Sequence, residues 1–471
     1  MKNIFLSAFL MWPLVIFASD TEVTWTGFGG ETSMTGENAN DSAGFSLAIS
    51  TDGSIVVVGE AGWSGGRGRV RAYNLKNNSW TQFGGPISMT GENGGDQAGY
   101  SLAISSEGSI IAVGEFGWSG SRGRVRTYRL ENDTWTEFGG ATSMTGQAAS
   151  DNAGNSIAIN FDGTLVAVAE RSWSGGSGRV RTYILNGDIW TETGGSTSMV
   201  GENAVDLAGF SIAMNSDGTI LAVGEYGWNG AGNDSGRVKT YRLENGVWTE
   251  FGGATSMTGQ NTNDSAGRSV ALSSDGRIVA VGEFGWSGFG SDGGRVRTYK
   301  LENDTWTEFG GATSMTGVNT LGSQSFRNIA LNFDGKIIAL GQVKWNSAAG
   351  RVRTYKLENE IWTEFGGATS MTGQNTNDFA GSSVALSSNG NIVAVGEYGW
   401  DGVGNSSGRV RTYFYPSYND NETEARIRNS EMAHVCYFDI SQGTYTDHQT
   451  TPGGVGQGAW FTPYRITVQG R

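Results

Sequence analysis

The stretch from Phe210 to Phe251, FSIAMNSDGTILAVGEYGWNGAGNDSGRVKTYRLENGVWTEF, decides the fold. Phe210 to Asn215 (FSIAMN) reads as an inner strand, because apolar residues fall at the two-residue period of a pleated, half-covered segment. Ser216 to Gly218 breaks the run as a tight turn, and Thr219 to Glu225 resumes it with β-branched and small residues. Arg237 to Leu243 predicts a third strand, Glu244 to Gly246 another turn, and Val247 to Phe251, with Trp248, an outer strand. Four short antiparallel strands follow one another in this unit. The two-residue period excludes a helical solenoid.

The unit recurs along the chain. Trp25, Trp80, Trp135, Trp190, Trp248, Trp306 and Trp362 each open a W-T segment, at intervals of 55, 55, 55, 58, 58 and 56 residues. A second tryptophan (Trp63, Trp118, Trp173, Trp228, Trp286, Trp345, Trp400) and a G-R-V-[RK]-[TA]-Y segment hold fixed places in each of the seven copies. Self-similarity at this period marks a repeat architecture. A lone four-stranded sheet of this size leaves a face bare, so the copies must pack on one another around a channel. The expected fold is all-β, a seven-bladed β-propeller of four-stranded antiparallel blades.

The phase of the repeat adds a closure. The first W-T segment, at Trp25, precedes any inner strand, and the last G-R-V-R-T-Y, at Gly408, has no W-T segment after it. Residues Glu22 to Gly29 are therefore expected to supply the outer strand of blade seven, which removes the open edges that invite aggregation. Residues 1–19, with Lys2, an apolar run from Ile4 to Phe17 and small residues at Ala18 and Ser19, have the layout of a secretory signal peptide. Residues 20–415 form the propeller. Residues 416–471, with Pro416, Pro452, Pro463 and a glycine-rich run at 453–458, are expected to be an irregular extension.

Composition bounds the partners. The chain has 471 residues, 76 of them glycine, and 52 Trp, Tyr and Phe, enough apolar surface to bury a core. Its formal charge of −14 has the wrong sign for a phosphate backbone, so nucleic acid is not an expected partner. Beyond the leader no run approaches the length needed to span a bilayer, and no transmembrane segment is expected. Cys436 is the single cysteine, so packing rather than an internal disulfide must hold the ring. The N-x-S/T sequons at Asn40, Asn77, Asn132, Asn233, Asn263, Asn303, Asn405 and Asn421 suit a glycoprotein in a host that modifies secreted chains. Oligomeric state is not legible.

Comparing the copies separates columns that the architecture demands from columns that are free. The residue entering the first strand is Phe45, Tyr100, Asn155, Phe210, Arg268, Arg327 and Ser382, while its neighbours barely vary. At a channel mouth such a mixture of aromatic and cationic side chains offers stacking and charge to a ligand, and these seven are the candidate binding residues. The plainer reading is a solvated rim free to drift. The segment between the second tryptophan and G-R-V has four residues in blades one, two, three and six but seven in blades four, five and seven, and loops of that kind carry function on many scaffolds.

Other columns read as architecture. Glu60, Glu115, Glu170, Glu225, Glu283 and Glu397, with Gln342 in blade six, each lie one strand from an arginine of G-R-V-R, which favours cross-strand ion pairs over cation or sugar binding. Both tryptophan series and the methionine of T-S-M-T-G fit blade packing, and Asp41, Asp96, Asp151, Asp206, Asp264 and Asp378 fit turn capping. The only histidines, His434 and His448, lie beyond the seventh repeat. That leaves the ring without Ser-His-Asp, Cys-His or zinc constellations, so no catalytic residue and no metal ligand is assigned.

Inner strands such as AGRSVALSSDG (Ala266 to Gly276), followed by RIVAVGE and GRVRTY, resemble the FG-GAP-type repeats of integrin-α-like propellers, and more closely a class of secreted bacterial and algal repeat proteins. The resemblance runs from about Trp25 to Tyr413. It implies a seven-bladed propeller on a surface or secreted protein, with ligand binding on the loop face. The D-x-D-x-D-G calcium loop of integrins is not matched, since the turns here read S-S-D-G or N-F-D-G, so no cofactor is expected. The function expected is a secreted or cell-surface recognition or adhesion scaffold for an extracellular glycan or protein, not an enzyme. The alternatives are a carboxylate-based polysaccharide hydrolase or lyase, and a structural matrix protein without a specific ligand.

Overall fold

The computed structural model describes residues 23–416, apart from 86–88, 141, 196–197, 254–256, 289–292, 312–314, 318–327 and 368, together with the backbone of 424–428, 434–439 and 444–449. The expected signal peptide at 1–19 and the candidate Arg327 lie outside the described residues.

Among the described residues the chain is all-β, and the propeller unit has seven four-stranded antiparallel blades. In blade four the strands are Ser211–Met214, Ile220–Glu225, Arg237–Glu244 and Val247–Phe251, in that spatial order. Their register sets Val223 opposite Ile212 and Lys239, and Trp248 opposite Leu243. The strand boundaries expected from the alternation hold to within about a residue, because Asp-Gly and Asn-Gly turns break the pattern where the chain reverses.

The outer strand is longer than the W-T segment suggests. Thr134–Phe138 pairs one half of the third strand of blade two, and Met144–Thr145 pairs its other half through Val125 and Arg124. The T-S-M-T-G motif is thus the second half of a broken outer strand, and Met144 is buried.

Blade seven closes as expected. Thr26–Phe28 pairs its third strand with Gly27 opposite Tyr413, and Met34–Thr35 continues the edge opposite Val410 and Arg409. The first described strands of the chain therefore complete its last blade.

Blades stack through apolar clusters that each draw on two neighbours. Ala169 and Val180 of blade three meet Ile212, Val223 and Tyr241 of blade four, with Met199 and Trp248 in the same cluster. The W-T tryptophans are the pins: each is 2–4% exposed. Six of the seven donate an indole N–H across the blade boundary to a threonine hydroxyl, as Trp190 does to Thr127 at 2.7 Å and Trp25 to Thr354 at 2.7 Å. Trp135 is the exception, because Ala72 stands where the other third strands carry threonine.

The turns between first and second strands are joined in a ring of backbone hydrogen bonds. Thr51 N–H donates to Ser106, Ser106 to Phe161, Phe161 to Ser216, Ser216 to Ser274, Ser274 to Phe333, Phe333 to Ser388, and Ser388 back to Thr51, all at 2.8–3.0 Å. Seven donors meet seven acceptors and none is left over. This ring girdles the turn end of the channel.

Within the segment read as an irregular extension, Glu424–Arg428, His434–Asp439 and Thr444–Gln449 form a three-stranded antiparallel sheet. No helix among the described residues is long and apolar enough to cross a membrane.

Candidate ligand-binding site

First strands of all seven blades line a central cavity of about 350 Å³. Its wall is built in layers of successive first-strand residues, as Phe45, Ser46 and Leu47 of blade one show. The layer at the start of the strands holds Phe45, Tyr100, Asn155, Phe210, Arg268 and Ser382. Six of the seven candidate residues therefore share one mouth, opposite the girdled end of the same strands.

The next layer is the serine column, which anchors the rim. Ser46 Oγ donates to the Gly99 carbonyl at 2.6 Å, Ser101 to Gly154 at 2.7 Å, Ser211 to Gly267 at 2.8 Å, and Ser383 of blade seven to Gly44 of blade one at 2.7 Å. Asn155 Nδ2 donates to the Phe210 carbonyl at 3.1 Å. Blades one, two, three, four and seven thereby hold the backbone beside or at the next candidate residue, and the mouth is largely pre-formed.

A second variable column joins the first. The residue after each buried glutamate, or after Gln342 in blade six, is Ala61, Phe116, Arg171, Tyr226, Phe284, Val343 and Tyr398. Its side chains interleave with the candidates. Phe379 stacks on Tyr398 with ring centres 4.9 Å apart, Tyr398 meets Phe45 at 5.8 Å, Phe45 meets Tyr100 at 5.1 Å, and Tyr100 meets Phe116 at 4.0 Å. The Arg171 guanidinium then lies 5.8 Å from both Phe116 and Phe210. Phe210 meets Tyr226 at 4.4 Å, and Arg268 covers Phe284 at 4.0 Å and Tyr226 at 5.4 Å. The result is a belt with an aromatic arc on blades seven, one and two and a cation-bearing arc on blades three to five.

Charge is distributed unevenly around this cavity. Although the chain carries a net −14, no carboxylate lines the cavity, and Arg268 is the one charged side chain that does, among the described residues. Guanidinium planes resting on aromatic faces keep their charge while losing little freedom. The wall presents aromatic faces, hydroxyls and positive charge.

The glutamates at the ends of the second strands are elsewhere and enclosed. Glu60, Glu115, Glu170, Glu225, Glu283 and Glu397 have no exposed surface. Arg69 Nε donates to Glu60 at 2.5 Å and Arg71 Nε at 2.6 Å, and Arg71 also reaches the Thr35 carbonyl at the foot of the loop. The first arginine of each pair packs over the second tryptophan, as Arg124 does over Trp118 at 4.7 Å. Burial pushes these carboxyls up against the pull of the two guanidiniums. Burial pushes Glu225 up to about 7, in a blade that has Lys239 in place of the second arginine. Lys239 Nζ bonds Glu202 at 2.8 Å and sits 3.1 Å from Glu250, which leaves Glu225 Oε1 without a donor.

The aspartate column caps turns. Asp96 Oδ2 accepts from the amides of Glu92 at 3.0 Å and Asn93 at 2.7 Å, and its equivalents repeat the pattern. Among the described residues no three His, Cys, Asp or Glu side chains gather as a metal site. The long connections fold back on their own tryptophans. A Cβ on Gly230 would lie 1.6 Å from the Trp228 ring, so only glycine fits there.

No family model matches the chain, and no curated protein matches it. Among solved structures it is similar to a chain of hydrazine synthase from Kuenenia stuttgartiensis, at 14% identity over 78% of this chain and 94% of that one, with a TM-score of 0.48. A likeness at that level transfers neither activity nor ligand.

Proposed function

We propose that this propeller is a secreted recognition scaffold that holds an extracellular glycan in its channel mouth. The observation that carries the reading is the belt of Phe45, Tyr100, Phe116, Phe210 and Tyr226 around a cavity of about 350 Å³, a size that takes one or two sugar rings. Aromatic faces stack on the apolar faces of sugars, and the serine and asparagine side chains beneath them suit hydroxyl partners. The leader at 1–19 and the resemblance to FG-GAP repeats support an extracellular setting.

The hydrolase or lyase alternative needs a carboxylate in reach of substrate. The glutamates that it would use are enclosed and paired with arginine, and the cavity wall has no carboxylate among the described residues. A glycan array on the purified protein tests the proposal, with Phe210→Ala and Arg268→Ala as probes. Saccharide binding weakened by both substitutions is the expected result. Binding that survives both unchanged would overturn the assignment of the mouth, and polysaccharide turnover abolished by a Glu→Gln change would favour an enzyme.

A further inference from the structure

The geometry points to an acidic saccharide as the ligand class, one whose carboxylate or sulfate group meets the arginine arc while a sugar face lies on the aromatic arc. This inference rests on the mouth being the glycan site, and it adds the charge and orientation of what enters.

Three observations converge on it. First, the belt is polarised: Tyr398, Phe45 and Tyr100 form an uncharged arc, whereas Arg171 and Arg268 belong to the arc of blades three to five, each against Phe210, at 5.8 and 5.5 Å. Both guanidiniums therefore adjoin the ring of one candidate residue. Second, the cavity wall excludes acids in a protein with 46 Asp and Glu against 32 Lys and Arg, so an entering anion meets no like charge among the described lining residues. Third, both arginines are half-buried, with Arg268 in the cavity wall, Arg171 forms no ion pair among the described residues, and aromatic contacts hold both planes in place. A partly desolvated, pre-oriented guanidinium binds a planar carboxylate or a sulfate through paired charge-assisted hydrogen bonds.

The structural ion pairs that hold the blades use other cations. The arginines of the G-R-V-R segments carry the structural ion pairs, as Arg124 with Glu115 and Arg181 with Glu192. Arg171 and Arg268 belong to columns that other blades fill with Phe, Tyr, Asn, Ser, Ala or Val, Arg327 apart, so no blade interface demands an arginine there.

The test is calorimetric titration of the full-length mature protein with an oligogalacturonide, its methyl-esterified form, and a sulfated galactan oligosaccharide of similar length. The ester keeps the sugar and removes the charge. We expect the free acid to bind at least about tenfold more tightly than the ester, with the advantage shrinking as salt rises. Arg268→Gln and Arg171→Gln should each lower acid affinity far more than ester affinity and so remove most of that advantage, whereas Phe45→Ala should weaken acid and ester alike. Circular dichroism and melting of each variant against the parent establish that the ring is intact, and Arg268→Lys should restore part of the acid preference. Tighter binding of the uronide than of the sulfated galactan selects carboxylate, and the reverse selects sulfate. Equal affinity for acid and ester, or an acid preference that survives both Arg→Gln variants, overturns this inference while the glycan site stands. No binding to any of the three, together with no saccharide bound on the array, overturns both.

Discussion

The buried carboxylate of Glu225 in blade four, where Lys239 stands in place of the second arginine, should make the ring less stable as pH rises. Its folded carboxyl titrates near 7 because burial dominates, against an ordinary 4.5. A folded value above the unfolded one means that the favourable contribution is complete below pH 4.5 and is lost as pH climbs through about 7. With about 1.4 kcal/mol for each pH unit between the two values, the group withdraws about 2.5 kcal/mol of stability between pH 5 and pH 8. Glu225→Gln copies the arrangement of blade six, where Gln342 accepts from Arg351 Nε at 2.5 Å, and removes the titration. Lys239→Arg instead supplies the donors that Arg71 gives Glu60 and should recover part of the loss at pH 8 but little at pH 5. Urea unfolding followed by tryptophan fluorescence at both pH values gives the free energies directly. The reasoning is refuted if Glu225→Gln changes stability by the same amount at pH 5 and pH 8.

Two other substitutions probe how the ring is pinned. Ala72→Thr places a hydroxyl where it accepts from the Trp135 indole and donates to the Phe83 carbonyl, as Thr127 does for Trp190 and Phe138. It should stabilise the protein by about 1 kcal/mol, read as a raised urea midpoint, and a neutral or lowered midpoint would count against the assigned blade boundary. Trp25→Ala removes a buried pin between blades six and seven and should cost about 3–5 kcal/mol. Deleting Thr21 to Gly30 takes the closing strand as well, and a deletion variant that melts as cooperatively as the parent would show that the ring does not depend on that closure.

What was legible in the sequence follows the range of the forces concerned. Strand period, Asp-Gly turns and the recurring tryptophans act over a few residues, so the blades, their number and the closing role of Thr26–Phe28 could be read in advance. The pairing of glutamate with G-R-V-R was also readable, since adjacent strands of a hairpin have a forced register. The candidate column was visible as variation between copies.

Its partners were not. Phe116, Arg171, Tyr226, Phe284 and Tyr398 vary in the same way, yet their contacts with Tyr100, Phe210 and Arg268 exist only once blades are set side by side. The broken outer strand escaped because two residues, Met144 and Thr145, are too few to show a period. The hydrogen-bonded ring from Thr51 to Ser388 involves backbone alone, which the identity of a side chain does not report. By itself, then, the sequence determined the repeating strand unit, its seven copies and the way the chain closes on itself, because local backbone preference and apolar spacing act within each copy. Only the tertiary structure decided which variable residues meet, which carboxylates are sealed away and where positive charge gathers, because those depend on the angle at which one blade packs on the next.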